Sequence, residues 1–228
     1  MNKNYFLLLQ INDSQFPIGS YTQSYGLETY VQKNLVHNGK IAEEWLTAQM
    51  TSSLLYSELL PVKQAFLYGK HRDLQKLQEL EQLSLASRTA TELREASLKL
   101  GKRFVKTVEG LSVDFSLDFF KQYQEECAGM ISHPVAYAVF CAMADLEENM
   151  VLSHYLYSQV SANITNCVKL IPLSQTEGQK IFTQLQKNFP KMLEKLQHLG
   201  EEDLFLSCAG LDLRAMEHEK LYSRLYMS

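Results

Sequence analysis

"IAEEWLTAQMTSSLLYSELL", residues 41–60, sets Ile41, Trp45, Leu46, Met50, Leu54 and Leu55 at steps of mostly three and four. That spacing lines apolar side chains along one side of a helix, whereas a half-buried strand would alternate every second residue. Downstream, "DLQKLQELEQLSL" repeats Leu74, Leu77, Leu80 and Leu83 with more polar residues between them, which predicts a peripheral helix. Neither stretch has the length and flanking charges of a coiled coil. No segment shows sustained period-two alternation with β-branched residues. The sequence therefore predicts an all-α fold, a bundle-like helical array in a single domain spanning 1–228.

Boundary signals agree with that reading. Thr89 with Glu92, and Ser174 with Glu177, have capping-box spacing, in which the hydroxyl accepts from the third helical amide and the acid reaches back. Pro134 suits the first turn of a helix over 134–148, where its missing N–H is no loss. Further helices are predicted near 152–170, 175–198 and 212–226. No Pro-, Gly- or Ser-rich linker and no repeat of 20 to 50 residues divides the chain.

Of 228 residues, 46% are apolar and 21% charged, the balance of a folded globular chain rather than a disordered one. Net charge is −4 and no run of Lys and Arg is dense, so nucleic acid is not an expected partner. "YFLLL" at the start is too short for a signal-peptide core. The longest nearly apolar run, 134–144, falls well below the ~18 residues that span a bilayer. The expectation is a soluble, cytoplasmic protein with no membrane partner. Cys127, Cys141, Cys167 and Cys208 stand far apart with no CxxC pair, and the expectation for each is a buried free thiol.

Catalytic machinery is hard to find. "HEKLY" at 218 begins like a zinc-protease helix, but Tyr222 stands where the second His belongs. The six His include no pair three or four apart. "LKLGKRF" holds a Gly-Lys, yet Ala96 occupies the first P-loop glycine position and Arg103 replaces the Ser or Thr. No GxGxxG or GxSxG occurs. The chain is expected to be no enzyme, with no catalytic residues, metal site or intrinsic cofactor.

Three other features carry information. In "NDSQFPIGSYTQSYGLE" (12–28), Asp13 and Ser14 can bond their own backbone and end a first helix. Phe16 before Pro17 is pushed toward extended geometry, and Gly19 opens positive φ. Ser20 with Gln23 has capping-box spacing, predicting a helix restarting at Tyr21 with Gly26 inside it. A helical glycine costs about 1 kcal/mol against alanine, so something should approach closely there. The product is a helix–corner–helix with Ser24 and Gly26 as a bare patch among Tyr21, Tyr25 and Tyr30; a partner surface and a plain structural corner both fit. In "LREASLKLGKRF", Ser97 and Gly101 lie four apart on one face and permit tight helix packing, more often inside a core than at a dimer seam. In the tail, Leu213, Met216, Leu221 and Leu225 with Tyr222 and Tyr226 continue an amphipathic helix; it packs on its own domain or lies in a partner's groove.

Taken together these blocks resemble the urease accessory protein F (UreF) family. Asp13, Ser14, Phe16, Pro17, Gly19, Tyr21, Ser24, Gly26, Leu27 and Glu28 meet its N-terminal signature. "LREASLKLGKRF", "HPVAYAVF", "NCVKLIPLSQTEGQKI" and "MEHEKLYSRLYMS" look like its later blocks, in the family's order. Gln23 stands where the family usually has His, and Ala138 where it commonly has Gly. The resemblance implies an all-α homodimer, not an enzyme, that acts as a urease maturation chaperone. It implies binding to the scaffold protein UreD (UreH in some species), recruitment of the nickel-carrying GTPase UreG, and docking on apo-urease, with nickel handled by the complex rather than by an intrinsic site. On this basis Asp13, Ser14, Phe16, Pro17, Gly19, Tyr21, Ser24, Gly26 and Glu28, with Lys169, Gln175 and Gln179, are the candidates for the GTPase side, the two amides holding the corner. Arg214, Glu217, His218, Glu219, Arg224 and Leu225 are the candidates for the scaffold side, in a 212–228 tail expected to be mobile in isolation and to order on binding. Arg88, Arg94 and Arg103 are weaker candidates to reach the GTPase in trans. The alternative is a helical interaction module unconnected to urease.

Overall fold

Helix α8 (His133–Met143) has no polar stripe, and a helix apolar all round is driven to the interior. In a computed structural model of the chain, which describes residues 3–206 and 209–227 apart from the Tyr21 side chain, α8 is the central element and is buried from His133 to Ala142. Pro134 occupies its first turn as predicted. The helix stops at Met143, short of 148, because Asp145 turns the chain at φ 51°. The next helix, α9 (Glu148–Leu170), starts four residues before the expected 152.

The other helices pack around α8. Against it lie α4 (Leu60–His71), α5 (Leu74–Ser87), α6 (Thr91–Glu109) and α7 (Asp118–Glu126). The small-residue approach anticipated at Gly101 is internal: a Cβ there would come within 2.1 Å of the Ile131 carbonyl oxygen. Phe104, His133, Tyr137, Phe140 and Tyr155 interlock through tilted and edge-on ring contacts at the centre. Full burial of each large side chain contributes roughly 1.5–3 kcal/mol. On α5, Leu77 and Leu80 are buried while Leu83 faces solvent, in keeping with a peripheral helix.

Residues 41–60 depart from a plain α-helix. After α3 (Gly39–Gln49) the chain continues as a π-helix over Met50–Leu59 and then runs directly into α4. Met50, Leu54, Leu55, Leu59 and Leu60 are buried, recurring four and five apart. The wider i→i+5 turn keeps that spacing on one face, where a tighter helix would rotate it away from the core. Glu58 on this segment accepts from Arg88 (2.7 Å) and Tyr155 (2.8 Å), which ties it to α5 and α9.

Two buried polar side chains hold helix ends. Lys63 donates to the carbonyls of Leu196, Gln197 and Leu199, where α11 (Phe189–Gln197) would otherwise leave acceptors unpaired. Glu81 accepts from the Ser132 amide at the start of α8 (3.0 Å) and from the Tyr123 hydroxyl. Burial pushes its carboxyl up to about 7, against the hydrogen bonds, which favour the charged form.

The helix expected over 175–198 is two, α10 (Gln175–Gln186) and α11, with Pro190 in the first turn of the second. The Ser174–Glu177 capping box forms. The Thr89–Glu92 box does not: Ala90 is the N-cap of α6 and makes no side-chain cap bond. Cys127, Cys141 and Cys167 are buried and free, while Cys208 lies outside the described residues. Among the described residues there is no strand, no helix long and apolar enough to cross a membrane, and no group of three or more His, Cys, Asp or Glu able to hold a metal.

Candidate functional site

Helix α1 (Tyr5–Asn12) ends at Asp13, whose Oδ1 accepts the Gln15 amide at 2.7 Å. Phe16 then turns inward against Phe104, leaving Asp13, Ser14 and Pro17 exposed. Gly19 carries φ +83° and leads into a 3-10 turn, Ser20–Thr22. The expected Ser20–Gln23 cap and the helix from Tyr21 do not form. Gln23 instead donates to the Thr22 hydroxyl at 2.9 Å. The second helix, α2 (Leu27–Gln32), starts later, with Gly26 as its N-cap at φ +83° rather than inside it. The close approach inferred at Gly26 is real: the backbone of Ala215 lies against it.

Ala215 belongs to α12 (Ala209–His218), after which residues 219–227 form turns instead of the helix expected to 226. The tail lies on α2 and α6 of its own chain. Tyr30 donates to the Gly210 carbonyl, Gln32 to that of Ser223, and the Met227 amide to that of Thr22. Lys33 pairs with Glu217 at 2.7 Å, and Arg214 reaches the same carboxylate while lying over the Tyr30 ring. The supposed bare patch is therefore covered, with Ser24 fully buried. The expectation of a mobile tail gives way to a docked one, because its polar groups find partners along the corner.

Glu28 and His218 form the centre of this junction. Glu28 accepts the amides of Leu225 (2.7 Å) and Tyr226 (3.0 Å), and its Oε2 lies 3.1 Å from His218 Nε2. His218 Nδ1 lies 2.6 Å from Glu92 Oε2, and Glu92 Oε1 is 2.5 Å from Arg224. His218 has no exposed surface. Burial alone would raise the Glu28 carboxyl; the Leu225 amide, His218 and the Tyr226 amide outweigh it and hold the group below the ordinary carboxylate range. Three elements thus converge on two carboxylates, one imidazole and one guanidinium. The arrangement is a clasp, and a cavity of about 390 Å³ lined by Glu92, Glu95, Lys99, Arg224 and Tyr226 opens beside it.

Residues assigned in the sequence to two surfaces meet here. On the proposed GTPase side, Phe16, Gly19, Ser24, Gly26 and Glu28 are buried and shape the corner, while Asp13, Ser14 and Pro17 face outward; the Tyr21 side chain is outside the description. Asn166 donates to the Gln23 carbonyl at 2.8 Å and so brings the end of α9 to the corner. Lys169, in the last turn of α9, is exposed. Gln175 and Gln179 are also exposed and do not hold the corner; Asn166 does. On the scaffold side, His218, Glu217 and Arg214 are engaged within the chain, whereas Glu219 and Leu225 face solvent. The amphipathic reading of the tail also changes sense: Ala215 and His218 point inward, and Leu213 and Met216 point out. Arg88 is committed to Glu58 and Ser84, Arg103 donates to the Ile18 carbonyl, and Arg94 is exposed.

Sequence reasoning missed Glu92, Lys33, Gln32 and Asn166. Glu92 carried a signal, its acid at capping distance from Thr89, but that signal pointed to the wrong partner. A comparison with known families finds that the UreF family model matches residues 36–186. The match takes in the Ser97–Gly101 segment, the His133–Pro134 helix start and the Lys169–Gln179 stretch, and leaves both the corner and the tail outside it.

Proposed function

Since the chain belongs to the UreF family, whose members are accessory chaperones of urease maturation rather than enzymes, we propose that it works as an adaptor inside a maturation complex. In this reading it bridges the scaffold protein UreD (UreH) and the GTPase UreG, acts as a homodimer, and delivers the assembly to apo-urease in the cytoplasm. Nickel passes through the complex and GTP hydrolysis is the partner's.

The observation that carries the reading is the two-sided tail. Its inner side is fixed by Gly26, Glu28 and Glu92, while its outer side presents Leu213, Met216 and Leu225, each at least 40% exposed. A helix whose apolar side chains face water while its ion pairs face inward is arranged for a further partner. Glu219 and Leu225 with those two residues are the proposed scaffold contacts. The exposed residues Asp13, Ser14, Pro17 and Lys169 are the proposed GTPase contacts.

The test is reconstitution. Co-purification of the chain with scaffold and GTPase, followed by urease activation with and without the chain, should show both capture and activation depending on it. Deleting 212–228 should abolish capture of the scaffold. Retained capture would remove the tail from the proposal, and activation without the chain would remove the adaptor role itself.

A further inference from the structure

We propose that the polar cavity walled by the π-helix, α6, α8 and α9 is a binding site for one small neutral molecule that both donates and accepts hydrogen bonds, an amide or alcohol of a few heavy atoms. It is a property of the chain by itself, and the adaptor reading can fail without touching it. The cavity measures about 90 Å³, several times what a single water needs. It is lined by Ser53 and Ser57 of the π-helix, Ser97 of α6, His133 at the start of α8, Gln159 of α9, and Tyr25 from the corner. π-helical turns are rare and frequently mark functional sites.

Two of these side chains lack partners. Ser97 is 7% and His133 8% exposed, and among the described residues neither Ser97 Oγ nor His133 Nε2 has a hydrogen-bond partner. Folded chains rarely leave such groups alone, so two beside one cavity point to something that occupies it. The His133 ring is held by Phe104 and Tyr155, with centroids 5.5 and 5.9 Å away, and is already set in place before anything binds.

The lining selects against charge. Arg88 and Glu58 both border the cavity but close on each other at 2.7 Å. Arg88 also donates to the Ser84 carbonyl, and Glu58 accepts from Tyr155. Asp212, on the α12 side, is itself engaged. Burial, and after it the Arg88 charge, push His133 down to about 4, so the ring is neutral and offers one donor and one acceptor nitrogen. Hydroxyl, carboxamide and neutral imidazole groups each donate and accept, which matches a ligand with both functions. An ion would lose its hydration there without gaining a counter-charge. Leu54 and Leu100 give the cavity an apolar wall for a methyl group.

Acetamide, acetate and acetamidinium share one shape and differ in charge, which makes them the probes, with ethylene glycol as an alcohol of the same size. Each is titrated into the full-length chain at neutral pH while NMR follows the His133 ring nitrogens and the backbone amides of Ser57 and Ser97. The expected result is a saturable shift with acetamide or the glycol, confined to the cavity lining and in the millimolar range that so few atoms allow. Neither ion should give one. Ser97→Ala removes a hydroxyl without adding bulk and should weaken binding of the neutral probe about fivefold. No saturable shift with either neutral probe would mean a cavity that holds water only, and would overturn the proposal. Equal binding of an ion, or unchanged affinity in a folded Ser97→Ala chain, would overturn it as well. If that variant does not fold, the comparison of probes in the unaltered chain decides.

Discussion

The backbone nitrogen of Ala215 lies 3.2 Å from the point where a Cβ on Gly26 would stand. Gly26 therefore meets two demands at once, a positive φ at the start of α2 and the contact that lets α12 lie flat on the corner. Gly26→Ala should carry about 1–2 kcal/mol of left-handed strain and displace the tail as well. Gly129 is the matched control, because it has φ +86° with nothing within 4 Å of its Cβ position. Thermal unfolding should fall in both variants, but tryptic cleavage at Lys220 and Arg224 should accelerate only in Gly26→Ala. Equal cleavage rates would mean that the approach to Ala215 contributes nothing.

Glu28→Gln tests the centre of the clasp. The carboxylate accepts from Leu225, Tyr226 and His218, and an amide keeps one acceptor oxygen while turning a donor toward other donors. Losing charge-assisted hydrogen bonds should weaken docking by roughly 2–3 kcal/mol. At fixed pH the tail should become cleavable while the unfolding of the helical core is unchanged. A tail that stays protected would show that Lys33–Glu217 and the Gly26 contact suffice without it.

Much of this arrangement was open to sequence reasoning wherever the cause was local. The apolar run of α8, Pro134 in its first turn and the Ser174–Glu177 cap each depend on neighbours within a few residues. Gly26 also betrayed a close approach, although not the identity of Ala215. What stayed hidden was long-range choice. Glu92 can cap its own helix or pair with residues more than a hundred positions away, and only the folded chain brings His218 and Arg224 within reach. The tail kept helical spacing past His218, yet its backbone leaves the helix there because the amides of Leu225 and Tyr226 bind Glu28. The break at Pro190 was written in the sequence, since a proline in mid-helix removes a donor and clashes with the preceding turn. The π-helical turn went unread, because the stretch was taken at ordinary helical spacing although Met50, Leu54, Leu55, Leu59 and Leu60 recur four and five apart.

Glu81 should give the core its own pH dependence, opposite in origin to a salt bridge. Its carboxyl titrates near 4.5 when exposed and is pushed up to about 7 by burial in the fold. Between those values the folded chain binds more protons than the unfolded one, so stability falls as pH rises from about 4.5 to about 7 and then levels off. Glu81→Gln retains an acceptor for the Ser132 amide but cannot ionise, and this slope should disappear. Urea denaturation at half-unit pH steps measures it, and a variant with the same slope as the unaltered chain would assign the dependence elsewhere.

Lys169 offers the sharpest test of the GTPase side. It is exposed in the last turn of α9, three residues after Asn166, which binds the corner, and a cation there complements the carbonyls of the helix end by about 0.3–1 kcal/mol. Lys169→Ala should leave the fold nearly unaltered, and Lys169→Glu should add only a modest end-charge penalty. If the residue serves only its helix, both variants will capture scaffold and GTPase normally. If it meets the GTPase, a pull-down through the chain should retain the scaffold and lose the GTPase, more completely for Glu than for Ala, with urease activation falling in the same order. Loss of both partners together would point instead to damage of the corner, and circular dichroism of the purified variants separates that outcome from the other two.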